Sequence, residues 1–351
     1  MMNLTRNITQ NILFITIVFL ASFCVSYSQD IQFSQFYSAP LYLNPAFAGS
    51  SHHHRFISHN RWQWPNLQAK YNTYAVSYDT YINSIRSGLG IMAINDRQGS
   101  GSLSTTEIQA LYSYELHLHE KYTFRAGAQV GFGTKYLDFS DKTFTDQFTN
   151  QGYDANTPSG EELLNPRKNY LDIGVGGILY TPRAWFGISG HHVNKPNQSF
   201  TTSVSPLPTK LAFVGGYKIP LIHSKQMAYL EAEKDISITP TLIYKMQGKS
   251  DQLDAGLYGQ YDQFLIGAWY RGIPTKKYQS DLQNNESIVA QVGWHFKDLG
   301  VGYSYDFVVS KLTGARPWGA HELNLTYIIQ KHHKGVKPMK KLPCPHFYQG
   351  Q

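Results

Sequence analysis

The feature that most constrains this fold is an alternation of apolar and polar residues with a period of two. In "TTEIQALYSYEL", residues 105–116, apolar or aromatic side chains fall on one face and polar ones on the other, broken by Leu111. The same period recurs in "YTFRAGAQVGF", "SIVAQVGWHF" and "HELNLTY". Several of these runs reach about ten residues, the length that a tilted strand needs to cross a bilayer. The chain is therefore predicted to be all-β, a transmembrane outer-membrane antiparallel β-barrel rather than a water-soluble sandwich.

The candidate strands number about fourteen, and single-chain bacterial barrels have even numbers of strands. They lie at 54–64, 70–80, 87–97, 103–118, 121–138, 169–181, 183–194, 209–220, 236–248, 251–261, 263–272, 285–297, 299–310 and 321–330.

The connections between these strands predict the orientation of the barrel. From the third strand onward, tight connections such as "HLHEK" follow even-numbered strands, and long ones follow odd-numbered strands, at 139–168, 195–208, 273–284 and 311–320. Outer-membrane barrels have long external loops and short periplasmic turns, so we expect both termini in the periplasm. Residues 221–235 break this rule and could form a fifteenth strand or a small helix. We interpret them as an extended periplasmic connection, because a fifteenth strand would make the count odd.

Composition agrees with a membrane barrel. Charged residues make up 16% of the chain and aromatic residues 14%, whereas soluble proteins carry roughly 25% charged residues. The net charge of +7 is compatible with nucleic-acid binding, but Lys and Arg gather only near the end of the chain. No nucleic-acid partner is predicted.

The N-terminus reads as a secretory signal. Arg6 precedes an apolar run from Ile12 to Val25, and small residues follow that run. A lipoprotein signal is disfavoured, because Phe23 stands directly before Cys24 where a small residue is needed. We predict a signal peptide at 1–28, an irregular segment at 29–53, the barrel at 54–330 and a basic periplasmic tail at 331–351.

The polar residues do not predict catalysis, a cofactor or a metal. His191 and His192 are neighbours on a predicted strand and so point to opposite faces, which does not suit one metal ion. Ser304, Asp306 and His321 could in principle assemble a hydrolase triad near the end of the barrel. We favour the simpler interpretation that polar residues on these strands face the lumen.

Distinctive motifs follow the signal peptide and recur along the chain. The first is "DIQFSQFYSAPLYLNPAFAGS", residues 30–50. The later ones are "RWQWP", "DRQGSGSLSTT", "FTDQF", "GYSYDF", "HELNLTY" and "LPCPHF". In these motifs and in their order the chain resembles the PorP/SprF family of Bacteroidetes type IX secretion proteins.

This resemblance implies an outer-membrane barrel without a catalytic role. Such a protein would anchor or help secrete a cell-surface protein with a type B C-terminal sorting domain, such as a gliding adhesin, and would contact outer-membrane lipid and periplasmic or peptidoglycan-linked type IX components. An alternative is a transport channel for small solutes or lipids, which would need an open lumen. The candidate partner-binding or family-motif residues are Phe33, Gln35, Tyr37, Leu43, Asn44, Pro45, Gly49, Asp306, His321, Glu322, Lys340, Lys341, Cys344 and Pro345.

The first motif is poorly suited to a regular strand. Pro40 and Pro45 fix their own φ angles and push the preceding residues towards extended conformations, and Gly49 can adopt a positive φ. The motif could be a disordered leader, but disordered segments are poor in aromatic residues. We therefore expect it to pack in the lumen or the periplasmic mouth.

The basic tail has two interpretations. Lys340 and Lys341 belong to a run of lysines, and prolines such as Pro345 keep the segment extended. The tail could be a solvated end that meets anionic lipid heads, or a docking peptide in which the lysines steer a periplasmic partner and "LPCPHFY" supplies apolar contacts. We favour docking, with Cys344 packed in that patch rather than acting in redox chemistry.

Overall fold

The computed structural model describes residues 30–68, 70–99, 103–138, 143–149, 152–154, 166–201, 204–221, 236–279, 282–310, 317–330 and 342–343. The chain divides into two compact units, Met1–Asp30 and Ile31–Gln351, and the barrel belongs to the second. The predicted signal peptide lies outside the described residues, as do Lys340, Lys341, Cys344 and Pro345 of the predicted tail.

Fourteen strands form the wall of the barrel. They are β1 His54–Gln63, β2 Tyr71–Ile82, β3 Ser87–Gln98, β4 Leu103–His117, β5 Thr123–Leu137, β6 Arg167–Tyr180, β7 Ala184–His191, β8 Lys210–Tyr217, β9 Ile236–Gln247, β10 Ser250–Tyr261, β11 Phe264–Gln279, β12 Leu282–Phe296, β13 Leu299–Val308 and β14 Ala320–Ile329. The pair Ile219–Pro220 continues β8 along β9, and a two-residue hairpin, Phe148–Thr149 with Gly152–Tyr153, lies in the connection after β5.

The barrel closes where the first strand meets the last. Each strand pairs antiparallel with the next along the chain, and β1 pairs with β14 from His54 opposite Ile329 to Gln63 opposite Ala320. We call this β1–β14 pairing the seam. The prediction of an all-β, closed antiparallel barrel with about fourteen strands is confirmed.

The two ends of the barrel differ in their connections. At the end where the even-numbered strands finish, which we call the turn end, most connections are tight, as at 181–183, 262–263 and 297–298. At the opposite end, which we call the loop end, the connections 138–166, 192–209 and 309–319 are longer. The connection 218–235 is an exception at the turn end, and residues 222–235 of it lie outside the described part of the chain.

The structure corrects one predicted loop. Residues 273–284 were expected to form a long connection, but β11 continues to Gln279 and β12 begins at Leu282, so the two strands form a hairpin beyond the wall. The pairing of β10 with β11 stops at Arg271, and that of β13 with β12 at Ser287. Register shifts after Arg271 interrupt the two-residue period, which is why the sequence pattern does not reveal these strand residues.

The outer face of the wall is apolar. Ile108, Val130 and Phe132 point outwards and are exposed, whereas Gln109 and Glu115 are buried inside. Trp62 and Trp318 lie exposed near the loop end, and Trp294 and Phe296 near the turn end, as in the aromatic girdles of membrane barrels. Among the described residues, no helix has the length and apolar character needed to span a membrane.

The lumen is filled by the segment that precedes β1. Residues Phe33–Gly49, which we call the luminal segment, form three short helical turns, at Phe36–Ser38, Pro40–Leu43 and Pro45–Phe47. Most of their side chains are buried. One group packs with inward-facing Trp185, Trp269, Tyr258, Ile243 and Val289, and a second group with Ala75, Met92, Ile94 and Leu111. Leu342, from the C-terminal region, is buried in the first of these clusters.

Candidate functional site

The luminal segment owes its irregular path to its prolines and to Asn44. Pro40 and Pro45 each stand at the start of a helical turn, where no backbone N–H is needed. The Asn44 side-chain oxygen accepts a hydrogen bond from the N–H of Ala46 at 2.9 Å and so caps the last turn. Gly49 has a φ of 68°, and a Cβ built there would lie 2.7 Å from the Cα of Gly88. Glycine is therefore required where the segment turns towards β1.

The first attachment of the segment is to the seam. The Glu322 carboxylate of β14 accepts hydrogen bonds from the backbone N–H groups of Ser34 and Gln35, at 2.7 and 2.9 Å. The Gln35 side chain donates to the backbone carbonyl of Glu322 at 2.9 Å. The Ser34 hydroxyl donates to the Asp306 carboxylate at 2.7 Å. The beginning of the segment is thus bound by two neighbouring wall strands.

A buried charge cluster surrounds this attachment. Arg61 and Arg271 reach the same oxygen of Asp306, at 2.8 and 3.0 Å, and Arg61 also reaches Glu322 at 3.1 Å. Arg271 further contacts Asp254 at 3.1 Å. All five side chains are buried, and each is paired with an oppositely charged side chain of the cluster. This pairing matters for stability, because a buried charge without a partner would destabilise the fold by several kcal/mol.

The second attachment is to β7, with one further hydrogen bond from Asn44 to the Gly177 carbonyl of β6 at 3.3 Å. Asn44 donates to the backbone carbonyl of Ile188 at 2.9 Å, and the Ser189 hydroxyl donates to the carbonyl of Leu43 at 2.9 Å. The Trp185 indole N–H donates to the Tyr37 hydroxyl at 3.2 Å. These contacts satisfy polar groups of the segment that burial would otherwise leave without partners.

The third attachment is at the end of the segment. The Arg125 guanidinium of β5 donates to the backbone carbonyls of Ala46 and Ala48, and it pairs with the buried carboxylate of Glu115. On the other side, the Asp79 carboxylate accepts a hydrogen bond from the Gly49 N–H at 2.7 Å and pairs with Arg55 at 2.8 Å. Charged hydrogen bonds of this kind are stronger than neutral ones.

Two wall glycines let the segment approach the strands. A Cβ at Gly127 of β5 would lie 2.3 Å from the backbone nitrogen of Ala46, and a Cβ at Gly88 of β3 would lie 2.0 Å from the carbonyl oxygen of Ala48. Backbone atoms cannot move aside as a flexible side chain can. The wall is therefore shaped to the segment at these positions.

Most predicted site residues lie in or against this segment. Those of the first motif belong to the segment itself: Phe33, Gln35, Tyr37, Leu43, Asn44, Pro45 and Gly49. Asp306 and Glu322 join them inside the lumen, as described above for the seam. His321 is separate, because it sits opposite Tyr305 in the β13–β14 pairing and bonds through its ring nitrogen to the Tyr303 hydroxyl at 2.7 Å.

The hydrolase triad is not assembled. Ser304 and Asp306 are buried inside the barrel, whereas His321 sits on the same side of the sheet as the exposed Tyr303. His192 bonds to Asp172 at 2.7 Å, while His191 stacks on Tyr42. In the described ranges, no three His, Cys, Asp or Glu side chains are grouped so that they could hold a metal ion.

Sequence reasoning missed the charged wall residues that hold the segment. Arg61, Arg125 and Arg271 are buried, and each pairs with a carboxylate on another strand. Their positions on the polar face of alternating strands could have marked them as inward-facing. Their common partner, the luminal segment, could not be recognised from that pattern.

Comparison with known proteins agrees with this architecture. Residues 25–327 match the family described as "Type IX secretion system membrane protein PorP/SprF". The chain belongs to the PorP/SprF family. A PorP/SprF protein is thus a membrane protein of type IX secretion, and the closed barrel with its apolar outer band is how this one crosses the outer membrane. A comparison with curated proteins found no match.

Solved outer-membrane barrels are similar to this PorP/SprF chain at low identity. The Omp33 outer membrane protein of Acinetobacter baumannii is 7% identical, with a TM-score of 0.42 over 80% of this chain and 100% of that chain. A TodX mutant described as a monoaromatic hydrocarbon channel is 12% identical, with a TM-score of 0.39 over 83% and 92%. The KdgM porin is 8% identical, with a TM-score of 0.34 over 79% and 99%.

Proposed function

We propose that this PorP/SprF barrel binds a secreted cell-surface protein that carries a C-terminal sorting domain, and anchors it or helps to secrete it. The single observation that supports this proposal is the filled lumen. Open porins have polar, water-filled interiors. Here the luminal segment is buried against apolar side chains of the wall and attached to it at three places. A barrel filled in this way suits binding at its surface better than conduction.

The loop end is the proposed surface for the secreted partner. Its connections 138–166, 192–209 and 309–319 stand on a rigid wall, and the β11–β12 hairpin extends beyond that wall. Loops held by a rigid scaffold are where recognition commonly occurs. In this proposal the loop end faces the outside of the cell, and the turn end faces periplasmic or peptidoglycan-linked components.

The experiment compares a deletion strain, a complemented strain and the parent. Surface proteins are released by protease shaving, and both they and the culture fluid are identified by mass spectrometry. We expect one or a few proteins with a C-terminal sorting domain to leave the surface on deletion and to return on complementation. An unchanged surface together with slower uptake of a small solute would favour the transport channel instead.

A second strain localises the binding surface. Shortening 139–168 is expected to release the same protein from the surface while the barrel keeps its heat-modifiable mobility on gels. The matched control replaces residues of the turn 181–183, at the opposite end, and is expected to leave retention unchanged. Retention that survives shortening of 139–168 would remove that loop from the binding surface.

A further inference from the structure

The luminal segment crosses the barrel from the loop end to the turn end. Just before the segment begins, the Ile31 carbonyl accepts a hydrogen bond from the Tyr42 hydroxyl at 2.6 Å, and this hydroxyl accepts one from Lys210 at 3.1 Å. Lys210 is the first residue of β8 and lies at the loop end, as does His191, which stacks on Tyr42. At its other end, Gly49 lies against Gly88, close to the turn between β2 and β3.

The luminal segment is close to β1 along the chain and far from β14. The chain leaves the lumen at Gly49 and enters β1 at His54, so the segment and β1 are neighbours along the chain. β14 comes from the far end of the sequence, and Ser34 and Glu322 are 288 residues apart. The segment and β1 can therefore associate locally, whereas the contact with β14 forms only when the barrel closes.

Several hydrogen-bond donors surround the Glu322 carboxylate at the seam. Glu322 receives the backbone N–H groups of Ser34 and Gln35, and it also receives the guanidinium of Arg61. The His59 ring nitrogen lies 3.2 Å from the other carboxylate oxygen. Ser34 and Gln35 come from the luminal segment, and Arg61 and His59 come from β1. Converging backbone N–H groups and a guanidinium make a strong anion site.

We propose that the luminal segment and β1 together form a receptor for the Glu322 carboxylate, and that this receptor sets the register in which β14 closes the barrel. A slip of one residue would turn Glu322 towards the lipid, and a slip of two would move it away from Arg61 along the seam. In either wrong register the buried arginine would face no carboxylate from β14. Only the register with Arg61 opposite Glu322 pairs them.

Asp79 provides a matched control for this role. Like Glu322, Asp79 is a buried carboxylate that accepts a backbone N–H of the segment, from Gly49, and pairs with an arginine of β1, Arg55. Unlike Glu322, it lies on β2, which pairs with β1 through a local hairpin and not across the seam. Glu322→Gln and Asp79→Asn therefore remove similar chemistry at different stages of barrel formation.

The test follows closure of the full-length barrel in vesicles, with Cys344→Ser in the background. Paired cysteines at Ser58 and Leu325, which are partners in the native register, report correct closure by disulfide formation. Cysteines at Ser58 and Leu323 or at Ser58 and Tyr327 report slips of two residues. The rate of closure is read from the appearance of the heat-modifiable band.

We expect Glu322→Gln to close about tenfold more slowly than Asp79→Asn, the equivalent of one charged hydrogen bond, and to form slipped disulfides that Asp79→Asn does not form. The proposal would also be supported if Glu322→Gln failed to close while Asp79→Asn closed. Equal rates and a native register in both variants would overturn it. If neither variant closes, Gln35→Ala and Ser189→Ala repeat the comparison with neutral hydrogen bonds of the luminal segment, near the seam for Gln35 and away from it for Ser189. None of these readouts depends on the secreted partner.

Discussion

Replacing Gly127 with alanine is expected to displace the luminal segment from β5 while leaving the strands of the wall intact. The new Cβ would lie 2.3 Å from the Ala46 nitrogen. Cβ contacts shorter than 3.0 Å are essentially never observed, so the segment must retreat by about 0.7 Å. That movement strains the 3.1 Å hydrogen bond from Arg125 to Ala46. Overpacking of this kind typically costs about 1–3 kcal/mol, whereas alanine suits a strand interior at least as well as glycine does.

Limited digestion with chymotrypsin measures this effect, because four aromatic residues of the luminal segment are buried, Phe33, Phe36, Tyr37 and Phe47. A loss of about 1–3 kcal/mol raises the population of the displaced segment roughly 5-fold to 150-fold, and cleavage follows that population when reclosing is fast. Gly259→Ala is the matched control, since a Cβ at Gly259 meets nothing within 4 Å. Equal cleavage of the two variants would refute the inference that the wall is shaped to the segment.

Three further predictions concern the buried charges, the orientation and the tail. Arg125→Met is expected to destabilise the barrel by about 3–5 kcal/mol in a urea titration, because it leaves Glu115 buried without its arginine, and adding Glu115→Gln is expected to recover part of that loss. Cysteines placed in 139–168 are expected to react with an impermeant maleimide on intact cells and those in 181–183 not to react; the reverse result would invert the proposed orientation. Deleting residues 336–351 is expected to leave the barrel assembled but to lower, in a salt-dependent manner, the recovery of periplasmic partners, and unchanged recovery would exclude docking of a partner by the tail.

The alternation of apolar and polar residues predicted the strands of the wall, because one face of each strand meets lipid and the other meets the lumen. Leu111 is informative in this respect, since it interrupts the polar face of β4. It is buried in the same cluster as Phe33 and Leu41 of the luminal segment. An apolar residue on the lumen side therefore marks where the segment packs, but the sequence alone does not say which residues it meets. The β11–β12 hairpin was missed for a related reason, because its register shifts remove the two-residue period.

The candidate site was only partly predictable. The prolines and aromatic residues of the first motif indicated an irregular, packed segment, and Asp306 and Glu322 were singled out through the family motifs. Arg61 and Glu322 are 261 residues apart, and their contact depends on closure of the whole barrel. Local patterns carry no information about such a pairing. Leu342 is a similar case, because no local pattern indicates that this residue of the predicted tail is buried in the luminal cluster that includes Phe36 and Tyr37.

Planar-bilayer conductance tests most directly whether the luminal segment closes the pore of this PorP/SprF barrel. The purified full-length protein is inserted into the bilayer, with Gly127→Ala as a positive control for a displaced segment and Gly259→Ala as its match. No steady conductance is expected from the wild type or from Gly259→Ala, whereas Gly127→Ala is expected to show openings. A steady open channel in the wild type would mean that the segment does not close the pore.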